Sequence, residues 1–107
     1  MTGWLAVAGL GPGADALTTP EVARALEAAT DVVGYAPYVA RVPERAGQAR
    51  HASDNRVELD RAREGLRMAA EGRRVVIVSS GDPGVFGMAA AVFEALGAEP
   101  AWREVDV

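Results

Sequence analysis

The chain has 107 residues, 50% hydrophobic and 24% charged, which suits one folded domain and is too short for two. With no cysteine and a single histidine, His51, it excludes disulfides, cysteine nucleophiles and multi-histidine metal sites. The net charge is −4 and all 11 cationic side chains are Arg, interleaved with acids, so lysine Schiff-base chemistry and the basic stripe of a nucleic-acid binder are excluded as well.

In chain order, strands and helices alternate. Trp4-Leu5-Ala6-Val7-Ala8 is an apolar run stopped by Gly9, which predicts a buried strand. A glycine-rich loop, Leu10-Gly11-Pro12-Gly13, follows. Thr19 reads as an N-cap with Pro20 at the first helical position, and Val22, Ala25, Leu26 and Ala29 continue at helical spacing. Asp31 to Tyr35 predicts a second strand. Residues 36–50 are ambiguous, with a short helix over 36–41 that Pro43 ends. Ser53-Asp54-Asn55 with Glu58 signals a helix start, and a helix is expected over 55–71. Its apolar stripe is Leu59, Ala62, Leu66, Ala69 and Ala70, with Gly72 at the C-cap and Arg61, Arg63 and Arg67 on a solvated face.

Val75-Val76-Ile77-Val78, four consecutive β-branched residues, predicts a central strand buried on both faces of a parallel sheet. A helix is expected over 87–96 with Gly97 as its stop, and 101–107 alternates like a final strand. Trp4 and Trp102 read as packing residues. The fold class is therefore α/β: an open, mostly parallel sheet with helices on both faces. The Met1 end lacks the basic n-region of a signal peptide, and no apolar run approaches the ~20 residues of a membrane span. A cytoplasmic protein with no membrane and no nucleic-acid partner is expected.

In such sheets ligands bind beyond the carboxyl ends of the strands. Two strand ends carry glycine loops, residues 9–13 and 81–84. The first serves equally well as a tight turn or as a ligand loop. Gly9, Gly11 and Ala14 fit a dinucleotide fingerprint, but Pro12 removes an N–H, the helix starts late, and the second strand ends in Gly34-Tyr35 where a ribose-binding acid belongs. Ser79-Ser80-Gly81-Asp82-Pro83-Gly84-Val85-Phe86-Gly87 is denser in polar and small residues than a plain turn needs. Backbone N–H groups and Asp82 could hold a polar cofactor there, with Val85 and Phe86 as an apolar wall. Tyr35 and Tyr38 could line a flat aromatic ligand or could pack. His51, in a polar stretch, is a capping residue or a proton-transfer candidate.

Gly9-x-Gly11-Pro12-Gly13 together with Ser80-Gly81-Asp82-Pro83-Gly84-Val85-Phe86-Gly87 resembles the tetrapyrrole methylases, the class III S-adenosylmethionine-dependent methyltransferases. Val33-Gly34-Tyr35-Ala36-Pro37-Tyr38 and Arg50-His51-Ala52-Ser53-Asp54-Asn55 are similar to the subgroup that methylates a precorrin at C17 in cobalamin biosynthesis, with contraction of the macrocycle. The resemblance implies S-adenosyl-L-methionine as methyl donor and no metal. It assigns cofactor contacts to Pro12, Ser80, Gly81, Asp82 and Val85. It assigns the precorrin to Gly11, Gly13, Tyr35 and Tyr38, and leaves His51 as the candidate acid or base. It also implies a homodimer and two α/β domains around a cleft. Residues 1–107 are then the N-terminal domain, with the second domain absent from this chain. The other readings are a methylase of a different substrate, a nucleotide-binding α/β module, and a non-catalytic interaction domain.

Overall fold

A computed structural model describes residues 3–10, 20–54, 58–80, 82–99 and 102. The elements are β1 (Trp4–Leu10), α1 (Pro20–Ala28), β2 (Asp31–Tyr35), α2 (Ala36–Val39), β3 (Ala49–Ser53), α3 (Glu58–Ala70), β4 (Arg74–Ser80) and α4 (Asp82–Ala98). Among the described residues the strands form one sheet in the order β1-β4-β2-β3, and every pairing is parallel.

The β-branched run explains the centre of this sheet. Val75 to Val78 are all buried, and alternate side chains enter opposite cores. Val75 and Ile77 join Leu5, Val33, Leu66 and Val92 on the face covered by α3 and α4. Val76 and Val78 join Ala8, Leu26, Val32 and Val39 on the face covered by α1 and α2. Chain direction decides which helix takes which face. The steps β1 to β2 to β3 advance across the sheet one way, and right-handed crossovers put α1 and α2 on one side. The step from β3 back to β4 runs the other way, so α3 lands on the opposite side and α4 follows it.

Most of the predicted boundaries hold. β2 spans the expected residues, β1 runs on to Leu10, and α1 opens on Pro20. The N-cap assigned to Thr19 lies outside the described residues. α3 ends as expected: Gly72 takes φ 95, in the left-handed region. The Gly72 N–H donates to the Ala69 carbonyl (3.0 Å) and the Arg73 N–H to the Met68 carbonyl (3.2 Å), the two bonds of a Schellman cap. Trp4 and Trp102 are partly buried packing residues on opposite cores.

Four expectations need correction. β3 was not foreseen, because Ala49-Arg50-His51-Ala52-Ser53 carries no apolar alternation; it is an edge strand held by its ladder to β2. α4 begins at Asp82 rather than near Met88, since Pro83 in a first turn breaks no helical hydrogen bond. Gly87, the first residue of the expected helix, thus lies well inside α4, where a Cβ would stand 2.6 Å from Glu58 Oε2 of α3. Gly97 does not stop the helix, which continues to Ala98. Arg61 is buried rather than solvated. The strand expected over 101–107 lies outside the described residues except for Trp102.

Gly34 in β2 is required for space. A Cβ there would meet Val78 Cγ2 at 2.8 Å and the Val78 carbonyl oxygen at 2.9 Å. Neither a β-branched side chain nor a sheet carbonyl moves easily. Gly34→Ala is therefore expected to cost about 1–3 kcal/mol by overpacking, against the usual gain on replacing glycine in a strand. Denaturant unfolding measures this; an unchanged or raised midpoint would show that the contact relaxes.

Candidate active site

The site is set by a divergence of the chain. β1 and β4 are adjacent, yet β1 leads to α1 on one face and β4 leads to α4 on the other. A crevice opens at the carboxyl ends of strands that part in this way. The register brings Gly9 beside Ser79 and Leu10 beside Ser80. Ser80 ends β4 and Asp82 opens α4, whose 17 residues direct the positive end of the helix dipole to the same end of the sheet. Val85 is half-buried in the first turns of α4. Gly11, Pro12, Gly13 and Gly81 lie outside the described residues; their neighbours Leu10 and Ser80 are the pair that closes the β1–β4 ladder.

The tyrosines belong to the same end. Gly34 pairs with Val78, so Tyr35 closes β2 one step further on. α2 starts at the next residue with no loop between them, and Pro37 lies in its first turn. Tyr35 and Tyr38 are half-buried with ring centroids 5.6 Å apart and planes at 81°, the edge-to-face contact that aromatic quadrupoles favour.

His51 is not brought to that group. It stands in the middle of β3 beside Val33, and its Nε2 is 2.8 Å from Asp31 Oδ2. Asp31 opens β2 and Tyr35 closes it, so Asp31 lies about 13 Å along the strand from Tyr35 at ~3.3 Å per residue, and the hydrogen bond turns the His51 ring toward the Asp31 end. The reason is the acid. Asp31 is 3% exposed, and a buried carboxylate needs partners for its charge. Thr30 Oγ1 donates to its Oδ1 at 2.7 Å, and Arg73 lies 3.6 Å from its Oδ2. The geometry gives His51 a structural hydrogen bond at the foot of the sheet.

Sequence reasoning missed two arginines beside the site. Arg61, on α3, donates to the Asp54 carbonyl (2.9 Å) and to Ser53 Oγ (3.4 Å). The signal was present: Gly65 and Met68, at i+4 and i+7 from Arg61, are buried too, so the inner face of α3 is wider than its aliphatic stripe. Arg50, on β3, reaches the carbonyls of Val39 and Val42, which no local pattern announces. Among the described residues no group of three or more metal-ligating side chains comes together.

The strand order decides against the dinucleotide reading. A Rossmann unit sets its first and second strands side by side, so that the ribose-binding acid faces the glycine loop. Here β4 separates β1 from β2.

Comparison with known proteins agrees with this geometry. The family model of the tetrapyrrole (corrin/porphyrin) methylases matches residues 5–107. A precorrin-3B C(17)-methyltransferase of Sinorhizobium sp is 54% identical over 108 residues, covering 100% of this chain and 42% of that protein. The cobalamin biosynthesis protein CobIJ of Mycobacterium tuberculosis is 55% identical over 94 residues, covering 88% of this chain and 18% of that protein. The crystal structure of the methyltransferase CobJ superposes with a TM-score of 0.89 at 64% identity, covering 98% of this chain and 44% of that one. The chain thus spans less than half the length of each of these relatives. Its α/β fold, its glycine-bearing strand ends and the match along nearly its whole length show that the chain belongs to the tetrapyrrole methylase family.

Proposed function

We propose that this chain is the N-terminal α/β domain of an S-adenosylmethionine-dependent C-methyltransferase of corrin biosynthesis, acting on precorrin-3B at C17 with ring contraction. The observation that carries the reading is the parallel pairing that sets Gly9 beside Ser79 and Leu10 beside Ser80 at the carboxyl ends where β1 and β4 part. The name of the Sinorhizobium relative supplies the substrate and the methylated position; the methyl donor and the ring contraction come from the family resemblance. In this reading the enzyme works in the cytoplasm as a homodimer, and its second domain closes the cleft.

The residue types at this end suit the cofactor. A hydroxyl (Ser80), a carboxylate (Asp82) and an apolar side chain (Val85) match a ligand with ribose hydroxyls, an amino-acid tail and a flat base. When bound, S-adenosyl-L-methionine supplies an electrophilic methyl group. The chain supplies position. Ser80, Gly81 and Asp82 hold the polar parts, and Pro12 and Val85 border them. Gly11, Gly13, Tyr35 and Tyr38 hold the macrocycle so that its carbon meets the methyl group in line, the geometry on which transfer depends. His51 has no part in this proposal, since its ring is turned to Asp31, at the opposite end of β2 from Tyr35.

Two outcomes are expected. In an enzyme carrying both domains, Asp82→Ala weakens S-adenosylhomocysteine binding about ten- to a hundredfold, the loss of one charge-assisted contact. Calorimetry giving unchanged affinity in a folded variant counts against Asp82 as a ligand. The 107-residue chain by itself offers one wall of a cleft, and α4 presents Phe93, 61% exposed, on its outer face. Weak or absent S-adenosylhomocysteine binding, no methyl transfer and self-association in sedimentation are expected of it. Turnover of a precorrin by this chain alone would overturn the two-domain reading.

A further inference from the structure

The Tyr35–Tyr38 pair stands on a weak support. α2 is a single turn, Ala36–Val39, with no side-chain N-cap, and a helix this short is unstable without outside help. Its one buried residue is Val39, which joins the core formed with Val32, Val76 and Val78. Tyr38, one residue earlier, packs against the same core but stays only partly buried, so its ring is held less firmly than Val39.

The rest of the support comes from β3. Arg50 is half-buried on the α2 side of the edge strand. Its guanidinium donates through NH1 to the Val42 carbonyl at 2.8 Å and through NH2 to the Val39 carbonyl. These carbonyls bracket the exit of α2, where the N–H groups of Ala40, Arg41 and Val42 bond back to Ala36, Tyr38 and Val39. A planar guanidinium spans two acceptors at a fixed separation, as a lysine ammonium does not. β3 itself is pinned from the opposite side of the sheet. His51 alternates with Arg50 along the strand and bonds Asp31 at 2.8 Å, so the edge strand cannot slide without breaking both contacts.

We infer that Arg50 is a positioning residue: by clamping the exit of α2 to the edge strand, it fixes the Tyr38 ring against Tyr35 and so shapes the aromatic wall on the substrate side of the cleft. The inference rests on the proposed function only in naming the wall as the substrate's. The clamp itself is a property of the fold.

The test uses Arg50→Met, which keeps the stem and removes the fork, in an enzyme carrying both domains. Leu66→Val, a core change remote from α2, serves as a control for general loss of stability. Two-dimensional NMR reads the nuclear Overhauser contact between the Tyr35 and Tyr38 rings and the exchange rates of the Ala40, Arg41 and Val42 amides. In Arg50→Met the ring contact is lost and those amides exchange about tenfold faster or more, while in Leu66→Val both are retained. If the ring contact and the amide protection persist in folded Arg50→Met, or fall equally in the control, the clamp is overturned. In the same enzyme, the substitution raises KM for the tetrapyrrole while kcat and S-adenosylhomocysteine affinity stay within about twofold. An unchanged KM beside a lost ring contact refutes the wall as a substrate contact and leaves both the clamp and the cofactor site standing.

Discussion

Everything in this domain depends on β4 entering the sheet between β1 and β2. Its side chains must satisfy two cores at once, and four consecutive β-branched residues do so with no polar group to desolvate. That insertion forces the chain to reverse direction after β3, puts two helices on each face, and makes β1 and β4 neighbours that leave the sheet toward opposite sides. The crevice is a topological product of the insertion. The residues at its lip came to be neighbours through strand order, although some seventy positions separate them in the chain.

The periphery is organised by a different force. Edge strand β3 contributes little apolar surface, so it is tied down by polar side chains aimed at backbone carbonyls. Gln48, just before the strand, donates to the Leu26 and Ala29 carbonyls at the end of α1 (2.7 and 3.0 Å). Arg50 serves α2 in the same way, and Arg61 ties the strand's exit to α3. These bonds go to carbonyls at helix ends and turns, where backbone partners run short, although the Val39 carbonyl also accepts the Val42 N–H. The buried Asp31 is the inverse case, an acceptor that gathers Thr30, His51 and Arg73 around itself.

The two forces differ in how well they can be read from sequence. Apolar periodicity is local, so β1, β2, β4, α1 and the stripe of α3 were legible, as was the Gly72 cap. The glycine-bearing strand ends were legible too, because strand-then-glycine is a local pattern, and the family resemblance rested on them. The carbonyl-directed clamps left no such trace. Arg50 and Arg61 look like any surface arginine until the strand order places them, and His51, readable as a capping residue or a proton-transfer group, shows its Asp31 partner only once β3 is laid beside β2. The start of α4 was misplaced because Asp82-Pro83-Gly84 suits a turn and a helix's first turn equally well.

The strand order also sets a clock. Among the described residues β1 has β4 as its only partner in the sheet, so during synthesis β1 waits for β4 while β2 and β3 emerge between them. Until Ser80 has emerged, the apolar residues of Trp4–Leu10 have no ladder to join, while β2 and β3 can already pair. Closure by so distant a contact carries a large loop entropy and slows folding. During that delay an unpaired apolar strand is exposed to the rest of the cell, and so the nascent chain's demand on chaperones is greatest before β4 is made.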